Sequence, residues 1–194
     1  TYSNAGVGKT ITIDSVSGIS VSDQLVATAT DRNGNTSEFS GNHTIPFLAL
    51  DLGDAADPSY PTLNVNDGAV HNITARFFLG GTVDAEDDGQ ATPTADGDDL
   101  DGNNDDDGVV VDGPLFPGSQ LPFTVTVTDT ASVGGSLDGW VDWNGDGTWA
   151  HPDEQIFTSQ AVNDGTNIFQ VQVPVAAQGG LVAARFRLSS TGGL

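Results

Sequence analysis

Asp142, Asn144 and Asp146 stand at alternate positions in the stretch DWNGDGTWAHPDE, with Gly147 directly behind them and Asp153 and Glu154 at the far end. Alternating oxygen-bearing side chains followed by a glycine form the pattern of a loop that wraps its oxygens around a calcium ion. Counted from Asp142, the residues fill the first, third and fifth ligand positions, Gly147 makes the sharp turn, the Thr148 carbonyl can follow, and Asp153 closes the loop. Glu154 takes that closing place if the loop ends one residue later. Aspartate where an EF-hand has glutamate, Pro152 just before it, and the strand-like GWVDW ahead of it all depart from the helix-flanked EF-hand. The expectation is therefore a calcium loop of another kind. Its competitor is a hairpin rich in Asx turns that holds no ion.

A second acidic stretch, DAEDDGQATPTADGDDLDGNNDDDG, is denser still. Asp101, Asn103, Asp105 and Asp107 alternate ahead of Gly108 and can turn four oxygens to one centre; Asp96, Asp98 and Asp99 precede them, and Asp84 with Glu86 forms a similar short pair. Hard oxygen donors without cysteine or paired histidine favour calcium or magnesium over zinc. Calcium, with about six to eight ligands in flexible geometry, suits a glycine-rich acidic loop better than the strict magnesium octahedron. One calcium ion or a pair is expected to order this segment. The alternative is a solvated, disordered loop, because hardly a residue in it is apolar.

Other chemistries are weakly signalled. Two carboxylates can hydrolyse a glycosidic bond, but acids this abundant make no pair stand out. There is no HExxH, no Gly-x-Ser-x-Gly and no cysteine. His43, His71 and His151 share no motif spacing and read as surface or hydrogen-bonded structural residues. No catalytic residue is expected. Trp140, Trp143 and Trp149 flank the first loop and could form a sugar-stacking platform, although core or loop packing is the plainer reading. Asn35, Asn42 and Asn72 head glycosylation triplets that arise by chance in a chain rich in Ser and Thr.

Asp plus Glu number 27 against 5 Lys plus Arg, a formal charge of −22 on 194 residues. Such a surface repels phosphates, so neither nucleic acid nor an anionic membrane is an expected partner. Like charges about 5 Å apart at an effective dielectric near 20 cost on the order of 3 kcal/mol per pair, so a few pairs could outweigh a domain's stability. Divalent cations in the acidic stretches would remove that cost. No apolar run is long enough to cross a bilayer and no basic-then-apolar leader begins the chain; with no Met, Thr1 reads as the start of a processed or excised piece.

The elements that must position these loops are strands. TITIDS and QLVATATD alternate, and Asn33-Gly34 supplies a hairpin-type turn before TSEFS. Residues 1–44 read as a partial β-domain, too small to stand alone. From residue 45 onward Pro46, Pro58 and Pro61 interrupt the pattern, and the boundary is placed there. Beyond the acidic stretch the alternation is clean: Phe123, Val125 and Val127; Phe169, Val171 and Val173; Val182, Ala184, Phe186 and Leu188. These are half-buried antiparallel strands, and the fold class is an all-β antiparallel sandwich with long acidic calcium loops over residues 45–194.

The order DLGDAADPSYPTL, GAVHNI, FFLGGTVDAEDDGQ, ADGDDLDGNNDDDGV, LDGWVDWNGDGTWAHPDEQI and ARFRLSSTGGL resembles the bacterial GEVED domain over about residues 46–194. VATATDRNGNTSEFS resembles the closing strands of bacterial immunoglobulin-like or repeat modules. The resemblance implies an extracellular β-sandwich module of a large secreted or surface-anchored bacterial protein. The family's closing strand, with its Gly-Glu-Val-Glu-Asp signature, would start after Leu194, which implies an open sheet edge or one completed by another segment. The expected function is a non-enzymatic, calcium-stabilised structural module of a bacterial surface or fibrous protein. Its expected partners are other copies of itself, joined head-to-tail as a filament by strand addition, or neighbouring domains of the parent. An adhesin domain binding glycan or protein, or an appendage of a secreted hydrolase, are the alternatives.

Overall fold

A computed structural model describes residues 24–26, 28, 30, 32–37, 41, 43–44, 49–97 and 106–194. Two compact units divide the chain between Leu48 and Ala49, against the division at residue 45 read from the sequence. In the first, β1 (Gln24–Leu25) pairs antiparallel with β2 (His43–Thr44). Thr30 bridges Thr36 around Asn33-Gly34, with Gly34 at φ 85° and the two threonine hydroxyls 2.8 Å apart.

The second unit is built from two facing antiparallel sheets. Its short early strands are β3 (Leu50–Asp51), β4 (His71–Asn72), β5 (Phe77–Leu79) and β6 (Val109–Val111). The long ones are β7 (Gln120–Asp129), β8 (Gly135–Val141), β9 (Gln155–Val162), β10 (Gly165–Gln172) and β11 (Ala184–Ser189). One sheet has β7 at its centre, with β10 on one side and both β5 and β6 also hydrogen-bonded to it. The other runs β11–β8–β9, and β3 pairs with β4 apart from both. This is an all-β, sandwich-like architecture, as the strand patterns predict.

Period-two patterning explains the packing. In β7, Phe123, Val125 and Val127 point inward and are buried, each contributing about 1.5–3 kcal/mol by removal from water. Leu137, Val141, Phe157, Val162, Val171 and Val173 meet them from both sheets in a single core. Ring contacts cross the interlayer space: Phe157 to Phe169 at 5.2 Å and Phe123 to Phe186 at 6.4 Å. Strand β8 must fit against two aromatic rings at once, and glycine makes that possible. A Cβ on Gly139 would lie 2.9 Å from both Phe157 and Phe186.

Strand β9 carries a bulge opposite β8, with register shifts on both sides of Gly139. Ser159 sits there at φ 46°, and the fully buried Asp138 accepts its N–H at 2.8 Å. The extra residue would otherwise leave a ladder N–H without an acceptor.

Candidate metal centre

The loop between β8 and β9 is held at both ends by main chain. The Asp142 N–H donates to the Ala183 carbonyl at 3.0 Å, and the Val141 N–H donates to the Glu154 carbonyl at 2.9 Å. The acids that open and close the loop are thus brought side by side, and both are 0% exposed.

Between them, alternate residues cap one another. Asp142 Oδ1 accepts the N–H of Gly145 at 2.7 Å and of Asp146 at 3.2 Å, while Oδ2 accepts the N–H of Gly147 at 2.9 Å and the Tyr60 hydroxyl at 2.5 Å. Asn144 Oδ1 accepts the Asp146 N–H at 2.8 Å. Asp146 Oδ1 accepts the N–H and the hydroxyl of Thr148 at 2.9 and 2.8 Å. Gly145 and Gly147 adopt φ of 68° and 82°, the left-handed backbone that lets the chain reverse and that glycine reaches without a Cβ penalty.

The reversal brings one oxygen each of Asp142, Asp146 and Glu154 within 4.8 Å of the other two. Glu154 Oε2 accepts the His151 N–H at 3.0 Å, but Oε1 is buried with no hydrogen-bond partner. Burial pushes the Glu154 carboxyl up, and the negative charges of Asp142 and Asp146 push it further. Burial also acts to raise Asp142; the Tyr60 hydroxyl and the N–H groups of Gly147, Gly145 and Asp146 outweigh it and hold that carboxyl below its ordinary value. Burial, then the hydrogen bond to Asp142, drives Tyr60 upward, so it remains the donor. Three ionised carboxylates this close repel by about 3 kcal/mol per pair at an effective dielectric of 20. Either a proton on Glu154 or a cation relieves that repulsion. A buried, unpartnered carboxylate oxygen facing two more carboxylates is a donor set for a hard cation, and the residues present fit one.

Sequence order alone does not single out the closing ligand. Asp153 is exposed and outside the trio, with its N–H 3.4 Å from His151 Nδ1. The turn over residues 152–154, closed by the Glu154 N–H on the His151 carbonyl at 3.0 Å, buries Glu154 instead. Asn144 and Thr148 serve as caps of the loop backbone. Among the described residues, the trio is the one group of three or more His, Asp or Glu side chains that could share an ion.

In the second acidic stretch, Asp98, Asp99, Asp101, Asn103 and Asp105 lie outside the described residues. Of the others, Asp96 Oδ1 accepts the hydroxyls of Thr92 and Thr94, both at 2.8 Å, and those bonds hold its carboxyl below the usual range. Asp107 Oδ1 accepts the Gly81 N–H at 3.0 Å. Glu86 Oε2 accepts the Leu52 N–H at 3.0 Å, and burial together with a hydrogen bond to Asp84 pushes Glu86 up to about 8. Residues 84–97 are laid along residues 50–54 by further bonds, from Glu86 N–H to the Leu50 carbonyl at 3.0 Å and from Thr92 N–H to the Asp54 carbonyl at 2.8 Å.

Tyr60 is a site residue that the sequence reading missed. It lies between Pro58 and Pro61, where only the bracketing prolines hint at a fixed conformation. Its ring packs on Trp149 at 4.6 Å, and the Arg185 guanidinium lies 5.7 Å from the Trp149 centroid. Trp143 is buried in the core and Trp140 is half-buried, so the three tryptophans are packing residues of the loop and its base.

The GEVED domain family model matches residues 136–194. The matched stretch runs from β8 to the end of the chain and contains Asp142, Asp146 and Glu154; Tyr60 falls outside it. No curated protein and no solved structure matches the chain.

Proposed function

We propose that this chain is a calcium-stabilised structural β-module of a bacterial surface or fibrous protein, working outside the cell, with Asp142, Asp146 and Glu154 holding the ion. The observation that carries the reading is the Glu154 Oε1 atom, buried and unpartnered beside two other carboxylates. Oxygen-only donors on a glycine-hinged loop favour calcium over magnesium. Extracellular calcium modules bind with Kd of about 0.1–1 mM, a range that loads them outside a cell. No helix among the described residues is long and apolar enough to cross a membrane. The ion's role in this reading is mechanical: it neutralises the trio and ties the β8–β9 loop to Tyr60 and its segment through Asp142.

Thermal melting of the chain in EDTA and in calcium tests this. At ten times Kd a single ion adds about 1.4 kcal/mol, or about 3–5 °C for a unit of this size. Equal melting temperatures in EDTA and in millimolar calcium would sink the proposal.

The proposal extends to assembly. Strands β9 and β11 each pair with β8 on one side in their sheet, and an unpaired strand edge is a template for strand addition. Donation by residues 1–44 of a second copy would be head-to-tail and would propagate a fibre.

A further inference from the structure

Only five residues of this chain are basic, Lys9, Arg32, Arg76, Arg185 and Arg187. Two of them stand on the same face of β11, two residues apart, and each is matched with neutral acceptors. Arg185 Nη2 donates to the Pro61 carbonyl at 2.8 Å and to Thr62 Oγ1 at 3.3 Å; Arg187 Nε donates to His71 Nε2 at 3.1 Å. Cross-strand from Arg187 is Asp138, whose oxygens take the N–H groups of Ser159 and Leu194. Among the described residues no carboxylate forms an ion pair with either guanidinium. Asp138 offsets part of the cost of burying Arg187, but Arg185 is disfavoured both by burial and by the Arg187 charge with no carboxylate acting against them; an anion joining the pair would relieve that cost.

A cavity of about 580 Å3 lies against this pair, lined by Arg185, Arg187 and His71, by Asp51 and Asp54, and by Phe77 and Phe78, while the Phe186 ring between the two arginines turns to the core. Its size is within the about 300–1,000 Å3 of small-ligand sites. The guanidinium fork matches a planar carboxylate and can hold it with paired N–H bonds. Asp51 and Asp54 disfavour a doubly charged phosphate but can accept hydrogen bonds from hydroxyls, since a carboxylate oxygen accepts more than one. The aromatic lining suits the apolar face of a sugar ring. The repulsion of the distant acids is screened over about 8 Å at physiological salt, so the local pair decides.

We propose that this cavity binds an acidic sugar, a hexuronate residue whose carboxylate is held by Arg185 and Arg187 and whose hydroxyls meet Asp51 and Asp54. The module then has a glycan-recognition site separate from the ion-binding trio.

Saturation-transfer NMR and calorimetry on the full chain, with D-galacturonate, D-glucuronate, the matching neutral hexoses, acetate and inorganic phosphate, test it. A hexuronate should bind at least about tenfold more tightly than its neutral hexose and than acetate, and Arg187→Gln should weaken it by about tenfold or more. Arg187→Lys, which keeps the charge and loses the fork, should recover only part of the affinity. Melting curves without ligand establish that both variants are folded; if Arg187→Gln fails to fold, Arg187→Lys carries the comparison. Equal binding of neutral and acidic sugars, no binding of any, tighter binding of phosphate, or full affinity in Arg187→Gln each overturns the proposal. So does binding that survives Arg187→Gln but is lost in Glu154→Gln, which would place the sugar on the ion.

Discussion

Glu154 is the residue on which the ion reading turns, because it is the one member of the trio with a buried oxygen that has no hydrogen-bond partner. Glu154→Gln removes that charge and leaves an amide that can still accept the His151 N–H and can donate toward Asp142 or Asp146. In EDTA the variant should therefore melt at or above the wild-type temperature, while the calcium-dependent rise should fall by more than half. A variant with an undiminished calcium response would show that the ion, if bound, does not use Glu154. His71 makes a separate prediction. Burial, with Arg187 and Arg185 adding, pushes it down to about 4, against about 6.5 in an unfolded chain. Between those values the unfolded chain binds the extra proton, so this contribution is complete above pH 6.5 and is lost as pH falls toward 4. Solvent screening at a partly exposed position leaves about 1–2 kcal/mol of the effect. His71→Gln keeps an acceptor for Arg187 and does not titrate. In urea unfolding, the stability advantage of wild type over the variant should shrink by that amount between pH 7 and pH 4.5; a constant difference would contradict the assignment.

Strand β8 carries the geometry of both halves of the site. One face, Leu137, Gly139 and Val141, enters the core; the chain then continues into Asp142 and the loop. Alternation was legible here, but the bulge opposite was not, because two register shifts break the period of β9 and bring Phe157 and Val162, an odd number of residues apart, to the same buried face. Two substitutions test how β8 and β9 are held. Gly139→Ala places a methyl 2.9 Å from the rings of Phe157 and Phe186 and should cost about 1–3 kcal/mol by overpacking. Asp138→Ala empties a fully buried position and leaves the part-buried N–H of Ser159 without its acceptor, and should cost about 1–3 kcal/mol. Urea denaturation measures both. A loss below about 0.5 kcal/mol in either case would mean that the strands repack around the change.

The whole chain divides into two compact units, and the head-to-tail assembly proposed above would draw on both. Residues 49–194 expressed alone should keep the calcium response and melt within about 2 °C of the full chain, since the core closes without the first unit. Removing residues 1–44 should abolish any polymer, as read by sedimentation or electron microscopy, and leave the sandwich intact. The same polymer forming without them would reject their role as donor strands.

Whatever depends on neighbours along the chain is legible in the sequence. Phe123, Val125 and Val127 alternate and so form a half-buried strand; Asp142, Asn144 and Asp146 cap N–H groups two to five residues ahead, and Gly147 turns the chain, all through short local bonds. Which acid lies beside Asp142 and Asp146 depends on the fold. Asp153 and Glu154 are adjacent, and the choice depends on the turn after His151 and on the pairing of the Glu154 carbonyl with Val141. The fold also decided that Tyr60, 82 positions from Asp142, would complete that carboxylate's hydrogen bonds, and that Arg185 and Arg187 would bond directly to Thr62 and His71. These contacts join residues far apart in the chain, and no local spacing records them. They exist because the segment bearing β3 and β4 packs against β11 and the loop, and that packing minimises exposed surface over the whole unit.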